Sequence, residues 1–389
     1  MRYTTSLKLG LGGVLLAGVT LGVSGIAAAD YEPSSTDVVA VTGDTPQFAL
    51  QFLSDGDYNG DAGFNSSGSY NKLVSFNATA DGNARSAYAQ GSTESSPIAL
   101  NPTDVLRAGT FPVQRVQSSG AALTALLNDT GAQETINFIG SSTLPTSAQQ
   151  NQASTNGWGY LHVVQIGTDA VQIATASVTN APAGLSAAEL VKIYNGTYTT
   201  WGQIPGYTGP APSDAIIPEI PPSSSAIYKT LTADLKSANG GTAVSLGSDV
   251  KTVEQNDPTA ITGAPTPADA IVPFSQARFN LWTDGYFHNP ATAFPGSSTA
   301  LSSGIKLLSG ATPDSGTVYS SPIADYVIFR QSDLASTTAF EPGGTKNWVQ
   351  TLFSSASGTP LVKSAIGQSL IAASGVTPNY QDLGDVSAG

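Results

Sequence analysis

The chain has 389 residues, a formal net charge of −13 and no cysteine. The acidity disfavours nucleic acid and anionic membrane surfaces as partners, because both repel a negatively charged protein. Without cysteine the chain has neither a disulfide nor a lipid-anchoring cysteine (lipobox), so the hydrophobic core alone must stabilise a chain that is long enough for two domains.

Residues 1–29 have the pattern of a secretory signal. Arg2 and Lys8 give the positive start, residues 9–26 form an apolar, glycine-rich run, and three alanines before Asp30 form a small-residue cleavage site. A transmembrane anchor is the alternative, and it is disfavoured because the run is short, interrupted by glycine and followed directly by the cleavage site. We expect an exported protein that is periplasmic, associated with the cell surface or extracellular.

Short apolar runs and amphipathic segments alternate along the first half of the chain. Apolar runs bounded by turn residues predict strands, and apolar residues spaced by three and four predict helices. The predicted elements are strands at 38–42, 73–76, 113–116 and 136–139, a helix beginning at Thr45, an irregular region at 77–112 and a helix after Gly120.

The alternation continues in the second half of the chain. The predicted elements are two strands within 160–175 that meet at 167–169, a helix at 186–195, an irregular stretch at 202–225, a helix at 226–236, strands at 270–274 and 327–329, and helices at 348–353 and 361–373. Such alternation favours an α/β fold with a mainly parallel sheet.

The segment from Leu185 to Trp201 carries the most specific pattern. Ser186 and Glu189 have the spacing of a capping box, and Gly196 supplies a left-handed helix end. The segment resembles the Leu-Thr/Ser-x-x-x-Leu-x-x-Ile-Tyr/Phe-x-Gly-x-x-x-x-Trp signature of phosphate-type periplasmic binding proteins. These proteins are the solute receptors of ABC phosphate importers.

The resemblance implies a two-lobed, periplasmic-binding-protein-like fold with a ligand cleft between the lobes. Each lobe would be a mainly parallel sheet flanked by helices. Residues 30–167 and 271–389 would build the first lobe, and residues 168–270 would build the second. The end of the chain, 361–378, also resembles the tail of this family.

Four strand or loop ends place hydroxyl residues at or just before a predicted helix start. A helix start exposes unpaired N–H groups and a partial positive charge, so several such ends that converge could hold an oxyanion. The alternative is ordinary N-capping, the usual role of Ser and Thr at these positions. The four ends are Asp44 and Thr45, then Ser118, Ser119 and Gly120, then Ser141 and Ser142, and finally Ser224 and Ser225.

The resemblance implies that these four loops, in this order, grip the anion. The third loop lacks the family's acidic residue, because Ser142 and Thr143 stand there, and the fourth loop (221–227) lacks its Arg and Asp. Asp44 is the remaining acidic candidate that could accept a proton from phosphate and so exclude sulfate. Arg115 could reach the anion as a two-pronged donor, with a surface or interlobe salt bridge as its alternative.

Metal and catalytic patterns are weak. The run Asp55 to Asp61 matches the first half of a calcium loop, but Ser66 stands where the twelfth ligand, Glu, belongs, so we predict no strong calcium site. His162 and His288 are the only histidines and lack the spacing of metal ligands. We expect neither a cofactor nor an enzyme.

We interpret the chain as a monomeric receptor that captures an oxyanion, with phosphate as the first candidate, and presents it to an ABC permease. The alternative is a secreted interaction or adhesion protein that keeps the fold and has lost the anion site. A phosphate-ester hydrolase is a third, weaker alternative, because the sequence offers no set of metal ligands.

Overall fold

The structure, a computed structural model, describes residues 32–78, 103–131, 134–288, 300–356 and 358–388. The predicted secretory signal, its cleavage site and most of the region predicted as irregular lie outside these residues. No helix within the described part combines the length and the apolar character needed to cross a membrane.

The described chain alternates between strands and helices as predicted. The strands are β1 (Val38–Thr42), β2 (Leu73–Phe76), β3 (Thr103–Asp104), β4 (Val113–Gln114), β5 (Phe138–Ser141), β6 (Leu161–Ala176), β7 (Ile217–Ile220), β8 (Lys251–Thr252), β9 (Ala270–Ser275), β10 (Ile305–Leu307), β11 (Ser320–Arg330) and β12 (Thr377–Asp385). The helices are α1 (Gln47–Asp55), α2 (Ser119–Asn128), α3 (Ser147–Thr155), α4 (Ala187–Tyr194), α5 (Ala226–Ala238), α6 (Thr259–Thr262), α7 (Gln276–Thr283), α8 (Gln331–Leu334), α9 (Trp348–Leu352) and α10 (Ala365–Ala373).

Most of the strands join one mixed sheet in the order β2-β1-β5-β11-β6-β9-β7-β8. Pairing is parallel among β2, β1 and β5 at one end and among β9, β7 and β8 at the other, and antiparallel around β11 and β6 in the middle. The carboxyl ends of β1 and β5 therefore lie at the same edge, where their loops can meet.

Each half of the sheet has a hydrophobic core on both of its faces. In the first half, one core surrounds Phe138 and the other surrounds Ile139. In the second half, one core surrounds Ile173 and the other surrounds Phe274. Four cores over two sheet halves make two lobes, each with helices on both faces, so the predicted two-lobed α/β fold is confirmed.

The strands β6 and β11 run through both lobes. Their antiparallel pairing extends from Leu161 opposite Arg330 to Gln172 opposite Ser320, with one irregularity beside Tyr326. The predicted break at 167–169 is therefore wrong. Gly167 does not mark a turn; it leaves room for Val376, whose Cγ1 would lie 2.4 Å from a methyl group at that position.

Several elements were not predicted, among them α3, β7, α7 and β12. Helix α3 has a single buried residue, Ala153, so it shows little apolar periodicity. Strand β7 lies within the proline-rich stretch predicted to be irregular, and the exposed and half-buried residues of β12 do not form an apolar run. Strand β5 begins two residues later than predicted.

The predicted lobe boundaries remain a prediction. Leu308, Tyr319 and Ile323 pack with Ile173 in a core of the second lobe. Packing against the second lobe thus continues beyond residue 271, well into β11.

Candidate functional site

The first three hydroxyl loops meet at the carboxyl ends of β1 and β5. The Ser119 Oγ accepts a hydrogen bond from the backbone N–H of Ser142 at 2.9 Å. Gly43 lies so close that a methyl group on it would be 2.6 Å from the Ser119 Oγ. This approach explains the glycine and brings the loops at 43–45, 118–120 and 141–142 together.

Two of the predicted donors have local roles. Ser118 caps α2 by accepting from the Ala121 N–H at 3.3 Å, which is the capping role given above as the alternative. Ser141 donates to the Thr143 carbonyl oxygen at 2.7 Å and accepts from the Thr143 N–H, so its hydroxyl is bound within its own loop. Thr45 is half-buried beside them.

The fourth loop approaches from the second lobe. Ser225 caps α5 by accepting from the N–H groups of Ile227 and Tyr228. A methyl group on Gly120, in the first turn of α2, would lie 3.9 Å from the Ser224 carbonyl oxygen and 3.9 Å from the Lys229 Nζ. The N-terminal ends of α2 and α5 therefore face each other across the two lobes, with a lysine beside them.

Asp44 is buried, and both of its carboxylate oxygens accept hydrogen bonds. Its Oδ1 accepts from the Gln47 Nε2 at 2.7 Å and from the Arg278 Nη2 at 3.0 Å, and its Oδ2 accepts from the Asn256 Nδ2. Arg278 also lies over the Phe48 ring, 4.4 Å from its centre. Asp44 thus accepts three hydrogen bonds, and its Oδ2, with one donor, keeps a second acceptor position, so its role as the acceptor of a phosphate proton stays a prediction.

Arg278 supplies a guanidinium that the fourth loop lacks. It projects from α7, which was not predicted. Arg115 does not reach the site. Both of its hydrogen bonds go to Asp104, at 2.9 and 2.7 Å, in the salt bridge considered as its alternative.

Two further buried carboxyl groups lie behind the loops. The Ser142 Oγ donates to the Asp325 Oδ1 at 2.6 Å, and the Ser275 Oγ donates to the Asp169 Oδ2. Burial raises the pKa of Asp169 to about 6, opposed by the Ser275 hydroxyl and by two backbone N–H groups. Burial and the nearby charges of Asp169 and Asp44 raise the pKa of Asp325 well above its usual range.

Direct hydrogen bonds hold the two lobes together at the site. The Gln255 Nε2 donates to the Gln117 carbonyl oxygen at 3.0 Å, and Asn256 bridges from Asp44 to the Ser275 N–H. Asn256 has a φ of 53°, in the left-handed region, and this turn directs its side chain inward. These contacts bring the two lobes together beside the hydroxyl loops.

Other features lie apart from these loops. A cleft of about 360 Å³, lined in part by Asp169, opens beside β6 and β11, between Thr168, Gln276 and Gly375. In the calcium-like loop, the Asp57 Oδ1 accepts from the N–H groups of Asn59 and Asp61. Among the described residues, no three His, Cys, Asp or Glu side chains are placed to hold a metal ion.

Comparison with known families assigns the chain to a superfamily. A family model described as the PBP superfamily domain matches residues 78–292, which is more than half of the chain. The chain belongs to the PBP superfamily. This is a superfamily of binding proteins, in agreement with the receptor type inferred from the 185–201 segment. No curated protein matches the sequence.

Solved structures of similar fold resemble this PBP-superfamily protein along much of its length. A putative phosphate ABC transporter substrate-binding protein from Clostridium perfringens, solved with bound phosphate, shares 10% identity over 88% of this chain and 100% of its own, with a TM-score of 0.48. A phosphate binding protein from Stenotrophomonas maltophilia shares 14% identity over 88% and 90%, with a TM-score of 0.45. An ABC-type phosphate transport receptor from Vibrio cholerae shares 13% over 69% and 88%, with a TM-score of 0.38.

Proposed function

We propose that this protein is an exported, non-catalytic solute receptor that closes its two lobes over a tetrahedral oxyanion, with phosphate as the first candidate, and delivers it to an ABC-type permease. Membership of the PBP superfamily supports a binding role. The observation that supports an anion as the ligand is that the first turns of α2 and α5 lie close together, around Gly120 and Ser224 and beside Lys229.

The electrostatics favour an anion although the whole chain is acidic. Two helix starts contribute partial positive charge at one place, together with the N–H groups that Ser118 and Ser225 do not cap. Lys229 adds a full positive charge, whereas the charge of Arg278 is paired with Asp44. We assign the donor role to Ser119, Gly120 and the first turn of α5.

One observation favours the alternative of an interaction protein that has lost its anion site. Asn256 is bound to Asp44, and Gln255 is bound to Gln117, so the lobes contact each other through protein groups alone. A receptor whose closed form is this complete gains less from a ligand than one whose closure depends on it.

Calorimetric titration with phosphate and sulfate tests the proposal. The Ser119 hydroxyl already accepts from Ser142, so its proton is free to reach the anion, and Ser119→Ala should weaken binding by about tenfold to a hundredfold. Ser364→Ala is the matched control, because Ser364 caps α10 away from the site by accepting from the Gly367 N–H at 3.1 Å.

The control variant should lose only about 0.5–2 kcal/mol of stability, the cost of a missing cap, and keep its affinity. If the wild type binds neither anion at millimolar concentration, the interaction protein becomes the better interpretation. If it binds an anion and both variants bind equally well, the second hydroxyl loop has been assigned wrongly.

A further inference from the structure

Asp325 is the buried carboxyl group that the site leaves incompletely bonded. It lies on β11 with no exposed surface, and its Oδ1 accepts from the Ser142 Oγ at 2.6 Å. Its Oδ2 is equally buried and has no hydrogen-bond partner among the described residues. A buried polar atom without a partner is costly, so its retention calls for an explanation.

The surroundings of Asp325 favour a neutral carboxyl. The ionisable groups that face it are Asp169 on β6 and Asp44 in the loop after β1, with Tyr326 adjacent on its own strand. Arg278 is bonded to Asp44, and its charge is used there. A third negative charge, buried beside two carboxylates, would be strongly disfavoured. The proton then sits on Oδ2, because Oδ1 is the acceptor for Ser142.

A chain of hydrogen bonds joins this carboxyl to the proposed anion donors. The Ser142 N–H donates to the Ser119 Oγ, and the Ser142 hydroxyl donates to Asp325. Asp325 therefore places a carboxyl group beside the third loop, in which the sequence has Ser142 instead of an acidic residue. It approaches that place from a strand 183 residues further along the chain.

We propose that Asp325 is a hydrogen-bond donor of the anion site, with its Oδ2–H bonding an oxygen of the bound tetrahedral oxyanion. This inference rests on the proposed function. The role differs from that of an ionised carboxylate, which would accept a proton from phosphate. Asp44 already accepts from Gln47, Arg278 and Asn256, so on this inference the anion meets donors only. The site should therefore take sulfate as well as phosphate, with affinities within about tenfold of each other.

Sulfate is the sharper probe, because its charge does not change between about pH 6 and 9, whereas phosphate titrates in that range. Asp325 keeps its proton below its raised pKa and loses it as the pH rises, after which it repels the anion. The affinity of the wild type for sulfate should fall as the pH rises. In Asp325→Asn the affinity should be about threefold weaker than in the wild type at pH 6 and should fall less as the pH rises, because only the titration of Asp169 then remains beside the site. Asp325→Ala should lose about tenfold to a hundredfold at pH 6.

Asp333→Asn is the matched control. Asp333 lies in α8, beyond the far end of β11, and burial raises its pKa to about 7, so the variant also removes a buried carboxyl. It should keep the wild-type affinity and pH profile. Infrared spectra without ligand supply an independent readout, since the wild type at pH 7 should show the carbonyl stretch of a protonated carboxyl that Asp325→Asn lacks.

The outcomes separate this inference from the function on which it rests. A wild type that binds no oxyanion overturns both. A wild type that binds sulfate with the same pH profile as Asp325→Asn overturns the inference alone. So does a wild type that prefers phosphate more than a hundredfold and loses that preference in Asp325→Asn, because that result identifies an ionised acceptor.

Discussion

At the scale of single residues, Glu219 on β7 shows how burial sets the charge of a side chain. It is only 3% exposed, and one of its carboxylate oxygens, Oε2, has no partner among the described residues. Burial raises the pKa of Glu219 to about 7, and the charge of Lys251 opposes the shift only in part. The ionised form is therefore less stable in the folded protein than in the unfolded chain.

The sign of the resulting pH dependence follows from linkage. Because the folded pKa is the higher one, Glu219 favours folding at low pH and loses that contribution as the pH rises from about 4.5 through 7. The free energy of unfolding of Glu219→Gln, measured relative to the wild type, should increase by roughly 1–3 kcal/mol when the pH is raised from 5 to 8. Urea unfolding at both values measures the difference. Glu32→Gln, at an exposed position, is the control, and an equal gain there would attribute the effect to overall charge.

At the scale of elements, α4 shows the same capping box that its sequence predicted. The Ser186 Oγ accepts from the Glu189 N–H at 3.1 Å, and the Glu189 Oε2 accepts from the Ser186 N–H at 2.8 Å. The structure adds a tertiary connection, because the Ser186 hydroxyl donates to Asp314 at 2.6 Å and the Glu189 Oε1 accepts from the Asp314 N–H. The cap therefore also holds the loop that precedes β11.

A second capping box gives a matched comparison for α4. Thr146 and Gln149 form the same motif on α3, where the threonine is exposed. Thr146→Ala should cost about 0.5–1 kcal/mol, and Ser186→Ala about 1–3 kcal/mol, because it also removes a hydrogen bond to a carboxylate. Denaturant unfolding of the two variants measures both costs. Equal costs would mean that the contact with Asp314 contributes nothing to stability.

At the scale of the whole molecule, β6 and β11 are the elements that join the lobes. Since Tyr319 and Ile323 pack on the second lobe and Val327 packs on the first, we propose that the chain makes its last crossing between the lobes within β11, near the irregularity between Asp325 and Tyr326. The two long strands would then bend together when the lobes open, in a hinge motion.

Closure without ligand should depend on the few hydrogen bonds between the lobes. Gln255→Ala removes the bond to the Gln117 carbonyl oxygen, and it should raise the open-to-closed ratio about fivefold, the effect of one neutral hydrogen bond. Small-angle scattering without anion should show a larger radius of gyration than in the wild type. Gln381→Ala, on the exposed strand β12, serves as the control. An unchanged radius of gyration in Gln255→Ala would mean that other contacts hold the lobes together.

The sequence by itself determined the local structure and the type of protein. Apolar runs identified β1, β2 and β9, and capping residues with periodic apolar faces identified α2, α4 and α5. The run from Leu185 to Trp201 indicated the receptor type through its residue pattern alone. These features depend on residues within one or two turns of each other, so periodicity and capping chemistry report them directly.

Only the tertiary structure decided which groups face one another in the site. Asp44 was the acidic candidate in the hydroxyl loops, and Asn256 and Arg278, 212 and 234 residues away, donate hydrogen bonds to it. Asp325 lies against Ser142 across 183 residues, and Arg115 turns to Asp104. Local patterns report whether a side chain is buried but not which distant group bonds to it. That partner is set by the strand order, which places β11 beside both β5 and β6.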